Sequence, residues 1–163
     1  HGLTPKDMRL RNETVIASEI TEKTVALFGV GALGSKVAEL LAQAGVSRLK
    51  LCDGDRLNVG NVARHIGSLS KCGAPKTEVV ARRIWEVNPY AEIATFASHI
   101  SPTEQKARAF FSDVDLIIST IADEGAESGF NDLAVAMKVP VIYGRALRRA
   151  EMGRVFIVRP GQD

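Results

Sequence analysis

Leu27 to Ser35 reads LFGVGALGS, a glycine-rich turn between an apolar run and a segment of helical spacing. The run that leads into it, Thr24 to Gly29 (TVALFG), is short, apolar and β-branched, the pattern of a strand covered on both faces. Beyond the turn, Ala32 to Ala44 (ALGSKVAELLAQA) sets Leu33, Val37, Leu40 and Leu41 on one stripe and stops at Gly45, which predicts a helix ended by a glycine. Gly29, Gly31 and Gly34 therefore form a GxGxxG at a strand-to-helix junction. There Gly29 permits the tight turn, Gly31 lets backbone N–H groups approach phosphate oxygens, and Gly34 lets the helix lie close to the strand. The helix N-terminus adds a partial positive charge that favours an anion.

The same alternation runs along the rest of the chain. Upstream, residues 6–22 mix polar and apolar positions at helical spacing and predict an amphipathic N-terminal helix. Downstream, strands are expected at Ser47–Cys52, Ala91–Phe96, Val114–Thr120, Val139–Tyr143 and Arg154–Arg159. Helices are expected at Pro75–Val87, closed by Asn88-Pro89, from Ser101-Pro102 onward, and at Gly129–Lys138. Strands alternating with helices imply right-handed crossovers, so the fold class is α/β: a doubly wound, mostly parallel sheet with a Rossmann-like nucleotide site in a single domain. Residues 1–22 form an N-terminal helical segment and 23–163 the nucleotide-binding domain. Ligands of such sheets sit beyond the carboxyl ends of the strands, here just after Phe28, Cys52, Thr120 and Tyr143.

Composition sets outer limits. The chain has 163 residues, 45% hydrophobic and 25% charged, which is ordinary for a globular protein and long enough to bury a core. A net charge of +2 carries no argument for nucleic acid as a partner. No apolar run reaches the roughly 18 residues of a membrane span, and no basic-then-apolar leader opens the chain. The two cysteines, Cys52 and Cys72, have no CxxC spacing, which fits a reducing compartment, the cytoplasm. The start at His1 and the end at Asp163 are abrupt and read as those of an excised piece.

A GxGxxG followed by Asp53 at the end of the second strand suits NAD, with the acid on a ribose hydroxyl. The residues that follow suit a triphosphate better. The stretch LCDGDRLNVGNVARHIGSLSKCGAPKTE carries Asp53 and Asp55, then Asn61 and Arg64, then Lys76 opening a helix. Two cations and an amide near one strand end exceed what a pyrophosphate already held by a helix requires.

The set GxGxxG, DxD, Asn-x-x-Arg and Gly-x-x-Lys, in this order, resembles the ThiF/MoeB and ubiquitin-activating enzyme superfamily over roughly Lys23 to Pro160. That family uses ATP to adenylate the C-terminal carboxylate of ubiquitin-like and sulfur-carrier proteins. The resemblance implies that Gly29, Gly31 and Gly34 hold the nucleotide turn, that Asp53 takes the ribose, and that Asn61, Arg64 and Lys76 bind phosphates. It also implies that Asp123, in Ile118-Ser-Thr-Ile-Ala-Asp123-Glu124, positions magnesium, although Glu124 stands where asparagine is usual and Ser128 where an arginine is common. Arg64, Lys76 and Asp123 would then carry the catalysis. An arginine of the N-terminal segment is a further candidate for the phosphates; the pattern around Arg9 and Arg11 does not choose between them, and Arg11 is kept as the candidate. The resemblance further implies a homodimer, with any thioester cysteine beyond the end of this chain.

Each of these residues also has a plainer account. Asp123, Glu124, Glu127 and Asp132 suit the dipole of a nearby helix N-terminus. Arg64 and Lys76 could be solvated cations, and His65, where the family often has glutamine, is equally a packed or polar bystander or a contact. Cys52 reads as a small buried hydrophobe and Cys72 as a loop thiol. The arginines from Arg145 to Arg159 either shield an edge strand or meet an acidic partner. Three readings stay open: the adenylating enzyme, whose acceptor is a carrier protein, a small molecule or a tRNA-attached carboxylate; an NAD-dependent oxidoreductase; and a non-catalytic subunit of the same fold.

Overall fold

In the computed structural model of the chain, which describes Thr4 and residues 19–99, 101, 104–147 and 151–161, all five residues of the first strand, β1 (Thr24–Phe28), are buried. Alternate side chains of a strand point to opposite faces, so β1 belongs to two cores at once. Ala26 and Phe28 pack with Phe111 and Phe130 on one face, whereas Val25 and Leu27 pack with Ala38, Val80 and Ile84 on the other.

The helices that complete those cores are α1 (Gly34–Gln43), α2 (Val59–Val62), α3 (Lys76–Val87), α4 (Gln105–Phe111) and α5 (Glu124–Met137). The remaining strands are β2 (Arg48–Cys52), β3 (Glu92–Phe96), β4 (Leu116–Ser119), β5 (Val141–Leu147) and β6 (Met152–Val158). They form a six-stranded sheet in the order β3-β2-β1-β4-β5-β6, parallel throughout except for β6, which runs antiparallel to β5. α1 and α3 cover one face, and α4 and α5 the other. The expected doubly wound α/β fold is therefore present. Its strand order reverses between β1 and β4, whose ends Phe28 and Ser119 are paired. At that switch point the chain leaves both strands in opposite directions and opens a crevice.

Several elements differ from the sequence expectation: α4 begins at Gln105 rather than Ser101, β5 runs past Tyr143 to Leu147, β6 begins at Met152, α2 has no counterpart among the expected helices, and two helices, α1 and α5, differ in ways that bear on the site. In α1 the buried face is the small-residue stripe Gly34, Ser35, Ala38 and Ala42; Val37 and Leu41 are partly buried, and Leu33 and Leu40 remain 40% and 62% exposed. The helix lies so close to β1 that only small side chains fit beneath it. Its end is as expected: Gly45, at φ +96°, turns the chain out of the helix.

The second of these helices, α5, begins five residues before the expected Gly129. Asp123 caps it by accepting a hydrogen bond from the Ala126 N–H at 2.8 Å, and Phe130, Leu133 and Ala134 bury its inner face. Cap and burial outweigh the low helix propensity of Gly125 and Gly129. At its other end Lys138 adopts the left-handed conformation, φ 57°, that costs any residue with a Cβ. Lys138→Gly is accordingly expected to raise the melting temperature by about 1–4 °C, from roughly 0.5–1 kcal/mol. A thermal melt without a rise would mean that the added freedom of the unfolded chain offsets the relief.

The N-terminal helix expected over 6–22 lies outside the described residues up to 18, as do Arg9, Arg11, Pro102, Arg148 and Arg149. Among the described residues no helix is long and apolar enough to cross a membrane.

Candidate functional site

The crevice at the switch point is a cavity of about 460 Å³. Its walls are Gly29 and Gly31 after β1, Asp53 and Asp55 after β2, the segment Thr120 to Asp123 after β4, and Lys76 at the head of α3. Five of the sequence-derived candidates, Gly29, Gly31, Asp53, Lys76 and Asp123, thus meet around one space.

The glycine turn is fixed from several sides. Gly29 has φ +86°, a conformation that a side chain would strain. Its N–H donates to the Cys52 carbonyl at 2.8 Å, and its carbonyl accepts from the Thr120 hydroxyl at 2.8 Å. Gly34 lies behind the cavity wall, where a Cβ would come within 2.1 Å of the Gly29 carbonyl oxygen and 2.5 Å of Thr120 Oγ1. At Gly31 a Cβ would meet nothing within 4 Å. The N–H groups from Gly31 to Gly34 have no acceptor among the described residues. Four orphan donors at the head of a helix, beside a residue with no side chain, form a cradle for an anion.

Asp53 is held by backbone alone: Oδ2 accepts from the Val30 N–H at 2.8 Å and Oδ1 from the Asp55 N–H at 2.9 Å. The carboxylate therefore stays at the end of β2, with lone pairs left for a hydroxyl. Lys76 is only 8% exposed, and its Nζ donates to Asp55 Oδ2 at 2.6 Å. The hydrogen bond from Lys76 holds the Asp55 carboxyl below its ordinary value. A nearly buried ammonium with one partner among the described residues has two donors left, and it lines the cavity.

Magnesium can be accommodated only in part by the protein. Asp123 uses Oδ1 for its helix cap, leaving Oδ2, and among the described residues no three acids, histidines or cysteines converge. Such a donor set suits a magnesium ion whose other ligands are nucleotide phosphates and water.

Asn61 and Arg64 stand outside the cavity wall. Asn61 sits in α2, where it exchanges two hydrogen bonds with Asn58 in a capping box. Arg64 follows α2 with an exposed guanidinium that has no partner among the described residues. His65 is buried, the packed one of the two positions that the sequence left open. Cys52 is fully buried, and burial pushes its thiol up to about 12, so it is no nucleophile. Glu124 and Glu127 lie outside the lining of the cavity at the switch point. Both pair with Arg145, whose side chain is only 10% exposed, so Arg145 is not the solvated edge-strand charge that the sequence suggested. Sequence reasoning also missed the Thr120 hydroxyl and the Asp55–Lys76 pair; only the strand order brings these partners together.

The comparisons with known proteins agree with this geometry. The ThiF family model matches residues 11–163. The chain is 39% identical over 106 residues to the tRNA threonylcarbamoyladenosine dehydratase of Bacillus subtilis, covering 62% of this chain and 41% of that protein. It is 27% identical over 144 residues to the molybdopterin-synthase adenylyltransferase of Escherichia coli, covering 88% of this chain and 57% of that protein. Among solved structures, E. coli MccB with AMPCPP and MccA superposes with a TM-score of 0.81 at 20% identity, over 90% of this chain and 44% of that one. The chain thus spans 41%, 57% and 44% of the length of these three proteins.

Proposed function

The chain belongs to the ThiF family, and from that premise we propose that it is the nucleotide-binding part of an ATP-dependent adenylyltransferase that activates the C-terminal carboxylate of a ubiquitin-like or sulfur-carrier protein, as a homodimer in the cytoplasm. One observation carries the reading: the nearly buried Lys76 ammonium shares a cavity with Gly31, the first of four successive residues whose amides have no acceptor among the described residues. An NAD site requires the glycine turn and Asp53 and has no use for a second cationic wall. A triphosphate has use for both.

In this reading Asp53 receives the ribose, the amides from Gly31 to Gly34 and Lys76 receive phosphate oxygens, and Arg64 swings in from its exposed position. Bound magnesium, with Asp123 as its protein ligand, would neutralise part of the phosphate charge. A carboxylate oxygen of the acceptor forms a bond to the α-phosphorus as the bond to the outgoing pyrophosphate breaks. The acceptor is already ionised at neutral pH, so no general base is needed. The protein's task is to bring two anions together and offset their repulsion with fixed donors. The sulfur of any thioester step comes from elsewhere, because Cys52 is a buried thiol and Cys72 lies outside the cavity.

A second acceptor follows from the relative that acts on threonylcarbamoyladenosine in tRNA: a carboxylate on an RNA. Two measurements separate the possibilities. ATP with magnesium is expected to raise the melting temperature more than NAD does, since only a bound ligand stabilises by mass action. Exchange of labelled pyrophosphate into ATP is expected to require a carrier protein and to fall at least a hundredfold in Asp123→Asn, about 2.7 kcal/mol of transition-state stabilisation. Exchange that depends on tRNA selects the second acceptor, and a larger shift with NAD rejects both.

A further inference from the structure

The imidazole of His65 is 7% exposed and makes two hydrogen bonds that belong to different segments. Nδ1 accepts from the Gly67 N–H at 2.9 Å, and Nε2 lies 2.9 Å from the Val30 carbonyl oxygen. An amide can only donate and a carbonyl can only accept, so the ring is neutral with its proton on Nε2.

Val30 is the residue between Gly29 and Gly31. Its N–H is already held by Asp53, so His65 fastens the other side of the same residue. Gly67 in turn has no slack, since a Cβ there would lie 2.6 Å from Val79 Cγ1 and 2.8 Å from Leu57 Cδ2. A second stitch runs parallel: the Ile66 N–H donates to Ser35 Oγ at 3.4 Å, in the first turn of α1. The segment fastened in this way is the one that carries Asn61 and Arg64, and the His65 and Arg64 N–H groups both donate to the Asn61 carbonyl.

We propose that His65 is a positioning residue that couples the glycine turn to the Asn61–Arg64 segment, so that acid loosens the phosphate cradle by breaking the bond to Gly67. This rests on the nucleotide reading above. Protonation would place an N–H at Nδ1 facing the N–H of Gly67, two donors with no acceptor between them, while the bond to Val30 survives. The charged groups that act on the ring are Lys76, which opposes its protonation, and Asp53, which favours it. Burial is the largest influence and holds the imidazole below its ordinary value of 6.5, so the coupling persists through neutral pH and is lost as pH falls below that value.

Two substitutions separate the two bonds. The amide of glutamine can donate where Nε2 does, and the amide oxygen of asparagine can accept where Nδ1 does. Neither titrates. The probe is ATP with magnesium, its affinity measured by calorimetry at about pH 7.5 and about pH 5 for the native chain, His65→Gln and His65→Asn. ATP itself gains a proton in this range, so the readout is the difference between native and variant. The native chain is expected to lose on the order of tenfold more affinity than His65→Gln over the interval. His65→Asn, which releases Val30, is expected to bind on the order of tenfold more weakly than the native chain at the higher pH. Nitrogen spectra of the native imidazole, which need no nucleotide, are expected to show the proton on Nε2 at neutral pH. Equal acid dependence in all three proteins, or a proton on Nδ1, overturns the positioning role while leaving nucleotide binding intact. Absence of ATP binding by the native chain overturns both.

Discussion

Lys76→Ala is expected to weaken ATP by one to two decades while changing AMP by no more than about threefold, because a hydrogen bond to a charged group contributes roughly 1.5–3 kcal/mol and AMP lacks the outer phosphates. In the free protein the ammonium is nearly buried and held at 2.6 Å by Asp55, so it is already desolvated and oriented before nucleotide arrives. That preorganisation makes its contribution large compared with a surface lysine, which would surrender water and rotamer freedom on binding. The fold should tolerate the change. Asp55 is 56% exposed at its side chain, so water replaces the lost ammonium, and the carboxyl returns toward its ordinary value. Since pairing lowers the folded-state value, the pair stabilises the protein above the ordinary value of 3.8 and loses that effect as pH falls through the lowered one. The variant should therefore match the native melting temperature less closely at neutral pH than in acid. Calorimetry showing equal losses for ATP and AMP would assign Lys76 a role in holding Asp55 rather than phosphate.

How much of this was legible in the sequence depends on the distance over which each feature is decided. The apolar run of β1, the glycine turn and the Gly45 stop are local, and the structure has each where the pattern put it. The buried face of α1 is not local. Leu33 and Leu40 have the spacing of a core stripe, yet the approach of helix to strand at Gly34 turns the small residues inward. The start of α5 was hidden for a related reason: Gly125 and Gly129 suggest a loop, while the capping bond of Asp123 and the contacts of Phe130 decide for helix. At the site, residues that follow strand ends could be placed from the strand order alone. Asn61 and Arg64 could not, because α2 and the turn after it lie within the long connection from β2 to α3, whose path no strand end fixes. His65 was undecidable in sequence, since its two partners, at Val30 and Gly67, become visible only when the segments meet.

Gly31→Ala and Gly34→Ala, one helical turn apart, are expected to fail in opposite ways. At Gly34 a methyl would lie 2.1 Å from the Gly29 carbonyl oxygen, a backbone atom itself bonded to Thr120. Neither α1 nor β1 can move without opening the core around Val25, Leu27 and Ala38, so the expected cost is about 3 kcal/mol, or roughly 6–12 °C in melting temperature. At Gly31 the methyl meets nothing within 4 Å and the backbone is not in the left-handed region, so folding should be unaffected or slightly favoured. The open space at Gly31 is part of the cavity, however, and the neighbouring amides can reach a phosphate only if it comes within hydrogen-bond distance of the backbone. A methyl there should lower affinity for ATP and AMP alike by at least about a hundredfold, or 2.7 kcal/mol. A thermal melt and a binding isotherm on both variants decide the matter. Native-like ATP affinity in Gly31→Ala would mean that phosphate does not lie on the turn, and a native-like melt in Gly34→Ala would mean that the helix stands further from the strand than 2.1 Å allows.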